Sequence, residues 1–328
     1  MACILVSPFS PGEDGNSSAR LKMRILVMGG TRFVGKPLVQ LLMAAGHQLS
    51  LFTRGRQPVP EGVEHFSGDR SDASHLAPLK GRKFDVIIDS SGRNLVDTQA
   101  VLACTSAPSH RLVYVSSAGV YAASELWPLD ENSPLDPASR HGGKAHTENW
   151  LRQEGIPFTS FRPTYIYGPG NYNPVESWFF DRICGNLPVP LPGDGSTITQ
   201  LGHVDDLALA MARCLEVDAA TNRIYNCTGR KGVTFKGLVA AAARACGRDP
   251  DSVELRSFDP SSLDPKARKA FPLRLNHFLV DVQRVERELA WSQRFDLEAG
   301  LADSYQNDYS KRPPAQLDSS VDAPLWGA

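Results

Sequence analysis

The stretch Met23 to Gly35, M-R-I-L-V-M-G-G-T-R-F-V-G, constrains this chain more than any other. Its apolar run, Ile25-Leu26-Val27-Met28, stops at two glycines, and Leu38, Leu41, Leu42 and Ala45 then recur at helical spacing. Strand, tight turn and helix in that order open a nucleotide-binding α/β sheet. A helix begun so abruptly points unpaired backbone N–H groups and its positive dipole end at whatever occupies the turn, and a pyrophosphate satisfies both. Gly29 and Gly30 form the turn, and Gly35 lets the helix lie close to the sheet. The middle position, where glycine usually admits a phosphate, carries Arg32, followed by Phe33. Either the ligand sits slightly off, or the guanidinium neutralises one of its phosphates. A turn that binds nothing is the plain alternative.

The rest of the first half repeats the rhythm of strand and helix. Gln48–Thr53 alternates like a second strand, Val63–Phe66 reads as a third ending in Gly68 and Asp69, and Asp85–Asp89 as a fourth. Asn94–Cys104 is helical, Arg111–Ser116 a fifth strand, and Phe158–Phe161 a sixth after a helix from about Gly143 to Gln153. This pattern predicts right-handed crossovers, a Rossmann-type doubly wound parallel sheet buried on both faces, and a cleft at the strands' carboxyl ends. The second strand ends in Arg54, Gly55 and Arg56. An acid there would accept an adenosine 2′-hydroxyl, whereas arginine accommodates a 2′-phosphate, so a nicotinamide dinucleotide at this site is expected to be NADP before NAD. A solvated loop arginine is the competing reading; Asp69 closes the same corner.

Length and charge set outer bounds. A chain of 328 residues with 41% hydrophobic content buries a substantial core, and 35 Lys plus Arg stand against 36 Asp plus Glu. Bulk charge therefore offers no general nucleic-acid surface. The six cysteines are scattered, mostly inside apolar runs with no C-x-x-C pair, and read as reduced core residues. No apolar run has the length of a membrane span or the layout of a secretory signal. Residues 1–22 read as a disordered extension ahead of Met23, itself a natural start. The expected division is a nucleotide-binding domain over 23–170, to which later segments can return, a smaller C-terminal α/β substrate lobe over 171–309, and a disordered tail over 310–328.

Ser117, Lys144 and Arg162-Pro163-Thr164-Tyr165-Ile166-Tyr167-Gly168-Pro169 bring a resemblance into view. The chain resembles the extended short-chain dehydrogenase/reductase superfamily, the fold of nucleotide-sugar epimerases and dehydratases, over most of residues 23–309. In that superfamily a strand-five serine, a Tyr-x-x-x-Lys helix and the cofactor ribose form one proton relay. The lysine lowers the tyrosine pKa, and the tyrosinate takes the substrate proton as hydride leaves. Ser117 matches the serine and Lys144 the lysine, but the tyrosine position holds Arg140. Arginine is not deprotonated in proteins and cannot be that base. Tyr121 and His141 are the neighbours that could stand in; Lys144 can keep a role on the nicotinamide ribose, or be a surface lysine.

G-G-T-R-F-V-G, S-S-A-G-V-Y, S-R-H-x-G-K, Q-L-G-H-V-x-D-L-A and K-A-F-P narrow the resemblance to the chloroplast stem-loop-binding proteins and their cyanobacterial relatives. That resemblance implies stem-loop RNA binding, divalent-metal-assisted endoribonuclease activity, and support of ribosomes and transcription. It also implies a homo-oligomer without membrane attachment, in a cyanobacterial-type cytoplasm or, in a plant, the plastid stroma. The basic stretch Lys266, Arg268, Lys269 and Arg274, with Phe271 as a stackable ring, is the candidate RNA patch, although a solvated loop reads the same way. His203, Asp205 and Asp206 form H-x-D-D at a helix start, where Asp205 as a helix cap is a better expectation than a metal site. Trp178, Phe179 and Phe180 read as lobe core. Two further readings stay open: an NADP-dependent nucleotide-sugar epimerase, dehydratase or reductase, and a cofactor-sensing scaffold without catalysis.

Overall fold

The computed structural model describes residues 21–317 and 320–326; nearly all of the expected N-terminal extension lies outside them. In chain order the first unit runs β1 (Arg24–Met28), α1 (Gly35–Ala44), β2 (Gln48–Thr53), β3 (Glu64–Ser67), β4 (Val86–Asp89), α2 (Leu95–Thr105), β5 (Arg111–Val115), α3 (Gly142–Gln153) and β6 (Phe158–Arg162). There follow β7 (Tyr165–Tyr167), α4 (Glu176–Cys184), β8 (Val189–Pro192), β9 (Ile198–Thr199), β10 (Leu201–His203), α5 (Val204–Arg213) and β11 (Arg223–Asn226). The chain closes with β12 (Val233–Thr234), α6 (Phe235–Ala245), β13 (Leu255–Phe258), α7 (Gln283–Leu289) and α8 (Leu297–Asn307).

Seven strands form one sheet in the order β11-β6-β5-β4-β1-β2-β3, with each neighbouring pair parallel. Val27 sits across from Leu51 on one side and Ile88 on the other. Ile25, Leu26 and Val27 are fully buried, as a strand covered on both faces requires. The order reverses direction at β1, so the carboxyl ends of β1 and β4 open on the crevice where ligands of such sheets bind. β11 joins this sheet, and α5 and α7 contribute Leu207, Met211, Val285 and Leu289 to its core.

The smaller lobe gathers α4, α6, α8 and the β8–β13 pair around a second core. Trp178, Phe179, Phe180, Phe235 and Phe271 are all buried in it. The C-terminal segment departs from the disorder expected of it. Residues 320–326 fold back so that Leu325 is buried, Trp326 meets Phe258 edge-on, and Asp322 bonds Arg182 through Arg182 Nε (2.8 Å) and Nη2 (2.6 Å). A polar, Pro-bearing composition hid two apolar anchors and one buried acid whose partner lies 140 residues away. Removing one side of a buried ion pair leaves the other uncompensated. Asp322→Ala should therefore lower stability by about 3 kcal/mol in urea unfolding, with Tm falling in parallel.

Candidate functional site

At the carboxyl end of β1 the turn is built as the glycines demand. Gly29 and Gly30 have φ values of +117° and +101°, and a side chain on Gly35 would bring Cβ within 2.5 Å of the Gly30 backbone. Helix α1 begins with no side-chain cap and no acid in its first turn; the Gly35 and Lys36 amides donate to the Arg32 and Phe33 carbonyls and Pro37 has no N–H, so the turn residues ahead of the helix, Gly30 to Val34, line the crevice. Arg32 is exposed, with its guanidinium 4.1 Å from the centre of the Tyr172 ring, and Phe33 is buried, meeting the same ring edge-on. Tyr172 belongs to the loop after β7, so the arginine in the glycine position ties the turn to the other wall.

These groups line a cleft of about 1120 Å3. Arg54 and Arg56 from the end of β2 and Asp69 from the end of β3 stand at one end, and Arg140, His141 and Lys144 at the other. Asp69 accepts from the Ser71 amide (3.0 Å) and hydroxyl (2.7 Å), which hold its carboxyl below the usual range. Beneath the centre, Asp89 is fully buried at the end of β4. Burial opposes its charge, but Arg70 Nη2 at 2.8 Å and the Thr98 hydroxyl at 2.8 Å outweigh that and keep it ionised.

Lys144 is fixed by α3. One turn further along, Glu148 is buried against β6, accepting from the Ser160 hydroxyl (2.7 Å) and Arg162 Nη2 (2.6 Å), which holds the helix in register. Lys144 Nζ then donates to the carbonyls of Val115 (2.5 Å) and Gly92 (3.0 Å). Burial brings its pKa down to about 8. Ser117 is turned away: its hydroxyl accepts from the Gly119 amide at 3.0 Å and starts the short 3-10 turn 118–120. Arg140, at the phenol position, sends Nε to His141 Nε2 at 3.1 Å. His141 is thereby an acceptor, and burial with Arg140, Lys144 and Arg274 nearby pushes its pKa down to about 4.

Neither stand-in for the missing phenol is in place. The Tyr121 hydroxyl donates to Asn226 Oδ1 at 2.7 Å, its ring lies 5.0 Å from the Arg162 guanidinium, and burial pushes its pKa up to about 12. His141, though in the cleft wall, is already committed to Arg140. Tyr165 lines the cleft too, but its oxygen accepts the Arg274 amide at 2.7 Å and burial raises its pKa. The sequence pointed to the β5 and α3 residues; it assigned no cleft role to Tyr165 and Tyr172, which reach the cleft from β7 and from the loop that follows it.

The basic stretch divides in two. Lys266 and Lys269 are exposed, whereas Arg268 donates to the carbonyls of Phe271 (2.9 Å) and Leu273 (2.5 Å), and Arg274 Nη2 to that of Gly119 (3.1 Å). The expected stacking ring is unavailable, since Phe271 is only 2% exposed and packs on Trp178 and Phe235. In H-x-D-D the cap is His203, whose Nδ1 accepts from the Asp205 amide at 3.3 Å; Asp205 does not cap. Asp206 instead accepts the amides of Arg294 and Phe295. No cluster of three or more His, Cys, Asp or Glu side chains suited to a metal occurs among the described residues. Nor, among them, is any helix long and apolar enough to cross a membrane.

A seven-stranded parallel sheet whose first turn and second strand end open on one cation-lined crevice defines a Rossmann-type doubly wound α/β protein. Residues 25–228 match the NAD dependent epimerase/dehydratase family, and the chain belongs to it. It is 41% identical over 311 residues to the chloroplast stem-loop binding protein of 41 kDa b, chloroplastic, of Arabidopsis thaliana, covering 90% of this chain and 81% of that one. A 2'-dehydrokanamycin reductase of Streptomyces kanamyceticus is 28% identical over 304 residues, covering 88% and 81%. Among solved structures, a UDP-glucose 4-epimerase of Thermotoga maritima matches with a TM-score of 0.72 at 19% identity, covering 86% of this chain and 97% of that one. DesIV, a dTDP-glucose 4,6-dehydratase of Streptomyces venezuelae with NAD bound, gives 0.69 at 24% identity, covering 88% and 98%. At these identities the two structures establish the fold.

The Lys144 site has a pH signature. Its folded pKa of about 8 lies below its ordinary 10.5, so between those values the unfolded chain binds the extra proton and stability rises with pH. Relative to Lys144→Met, the wild-type protein should gain stability as pH climbs from about 8 to 10.5, read from urea midpoints. A constant difference would mean the ammonium is not buried.

Proposed function

We propose that this protein is an RNA-interacting member of its family that keeps the nucleotide cleft and has lost the proton relay of the dehydrogenase scaffold. The observation that carries the reading is Arg140. It stands in the cleft wall with Nε donating to His141, so the group facing the reaction position is a permanent donor. A hydroxyl oxidised there would have no base to take its proton, for Tyr121 and Tyr165 are held by other partners. RNA as the partner is supported by the name of the relative at 41% identity and by the outward-facing Lys266 and Lys269.

A dinucleotide is supported by the lining of the cleft: the Gly29-Gly30 turn and the acid-free positive end of α1 suit a pyrophosphate, and Arg54 with Arg56 favours NADP over NAD at the adenosine end. The NAD in DesIV supports the same class of ligand. Bound, such a cofactor supplies a hydride acceptor; Lys144, held by Val115 and Gly92, positions its ribose. No described carboxylate cluster nominates residues for a metal-assisted endoribonuclease, which stays an inference from the resemblance, as do contacts with ribosomes or transcription and self-association into a homo-oligomer. The setting is a cyanobacterial-type cytoplasm, or the plastid stroma in a plant, the latter supported by the chloroplast location of the Arabidopsis relative.

Stem-loop RNA should bind with an affinity that falls steeply with salt. Lys266→Ala with Lys269→Ala should reduce the slope of log K against log salt by about 1.5 to 2, measured by filter binding between roughly 50 and 200 mM salt. An unchanged slope would remove this surface from the interface. Deuteride transfer from labelled NADPH to, or isotope exchange within, a nucleotide sugar would instead return the epimerase, dehydratase or reductase reading, which the family scaffold, Ser117, Lys144 and the basic end of β2 support.

A further inference from the structure

Three guanidinium groups, Arg140 from the residues before α3 and Arg268 and Arg274 from the basic stretch after β13, gather beside the cleft where the His141 ring packs on Gly119, and among the described residues none has a carboxylate partner. Arg140 precedes α3 and spends only Nε, on His141, so its two terminal amino groups have no protein acceptor among the described residues. Arg274 is braced through its amide to Tyr165, through Nη2 to Gly119, and by the Phe278 ring 4.5 Å from its guanidinium carbon. Arg268 is clamped by the Phe271 and Leu273 carbonyls. The groups feel one another: burial, then Arg140 and Arg274, depress the pKa of Arg268. His141, which carries no charge at neutral pH, does not offset them.

A cluster of like charges, half-enclosed and fixed by carbonyls, raises the free energy of the folded chain until an anion arrives. It is also preorganised, because Arg268 and Arg274 lose little freedom on binding. A phosphate monoester carries roughly −1.5 to −2 charge and three strong acceptor oxygens, a closer match to three forked donors than a single carboxylate. We propose that Arg140, Arg268 and Arg274 form a binding site for the phosphate of a phosphomonoester, reached along the cleft past Tyr165 and Pro272. The group can come from a small phosphorylated metabolite or nucleotide, or from the 5′ end of an RNA. The inference does not rest on RNA being the partner.

The test is calorimetric titration of the full chain with inorganic phosphate, adenosine 5′-monophosphate and adenosine. Phosphate and the monophosphate should bind, with adenosine weaker by about tenfold or more. Arg140→Ala and Arg274→Ala should each weaken both phosphate ligands by about tenfold or more, Arg140→Lys less so, while Lys80→Ala, at an exposed lysine outside the cleft, leaves them unchanged. Comparing 5′-phosphorylated with 5′-hydroxyl oligoribonucleotides separates the sources: a larger phosphate preference in RNA assigns the group to an RNA end, a larger one in the mononucleotide to a small ligand. The proposal is overturned if Arg140→Ala, or Arg140→Gln should the alanine variant not fold, has wild-type circular dichroism and wild-type phosphate affinity. Absence of any phosphate preference in both arms overturns it as well.

Discussion

The site depends on one carboxylate placed where water cannot reach it. Glu148 is 1% exposed on the inner face of α3, and a lone charge there would be strongly unfavourable. Ser160 and Arg162 on β6 satisfy it, and because both lie on one strand they fix the rotation and the height of the helix against the sheet. Lys144, one turn earlier, is thereby aimed at the carbonyls after β5 and β4, and Arg140 at the open cleft. The same Arg162 lies against the Tyr121 ring, whose hydroxyl is bonded to Asn226. One buried pair thus both builds the lysine site and accompanies the withdrawal of the Tyr121 phenol.

With Lys144 seated and Arg140 beside it, the chemistry left to this wall is binding. Lys144 has two carbonyl acceptors yet remains a cation at the edge of its range, and His141 accepts from Arg140 as a neutral ring. Neither is arranged to accept a proton from a bound hydroxyl. At the far end of the cleft Asp69 stays ionised under the hydrogen bonds from Ser71 but is outnumbered by Arg54 and Arg56, and beneath the cleft Asp89 is paired with Arg70. Positive potential therefore runs from the adenosine corner to the α3 wall, a field that holds anions along its length.

Much of this was legible in the chain itself. The turn at Gly29, the strand rhythm and the substitution at Arg140 each rest on local chemistry: a backbone conformation only glycine tolerates, a repeat of apolar residues, a side chain that cannot lose its proton. What escaped depends on partners distant in sequence. Asp322 reads as a solvated tail acid until Arg182 is seen beside it, and Asp205 reads as a cap because nothing local shows that His203 faces its amide. Tyr172 gains a role only when its loop brings it over Arg32.

The basic stretch shows why composition could not settle its use. Residues 267–270 form a 3-10 turn, with three residues per turn, so side chains three apart share a face. Lys266 and Lys269 fall on one such face and point to solvent, while Arg268 lies off it and reaches the Phe271 and Leu273 carbonyls. Burial of Phe271 in the lobe core anchors the turn and settles which face is which. A single phosphate cannot be shared by cations on opposed faces. The outward lysines present their charge to solvent and the inward arginines donate to backbone carbonyls beside the cleft, so one run of four cations is divided between two separate electrostatic environments.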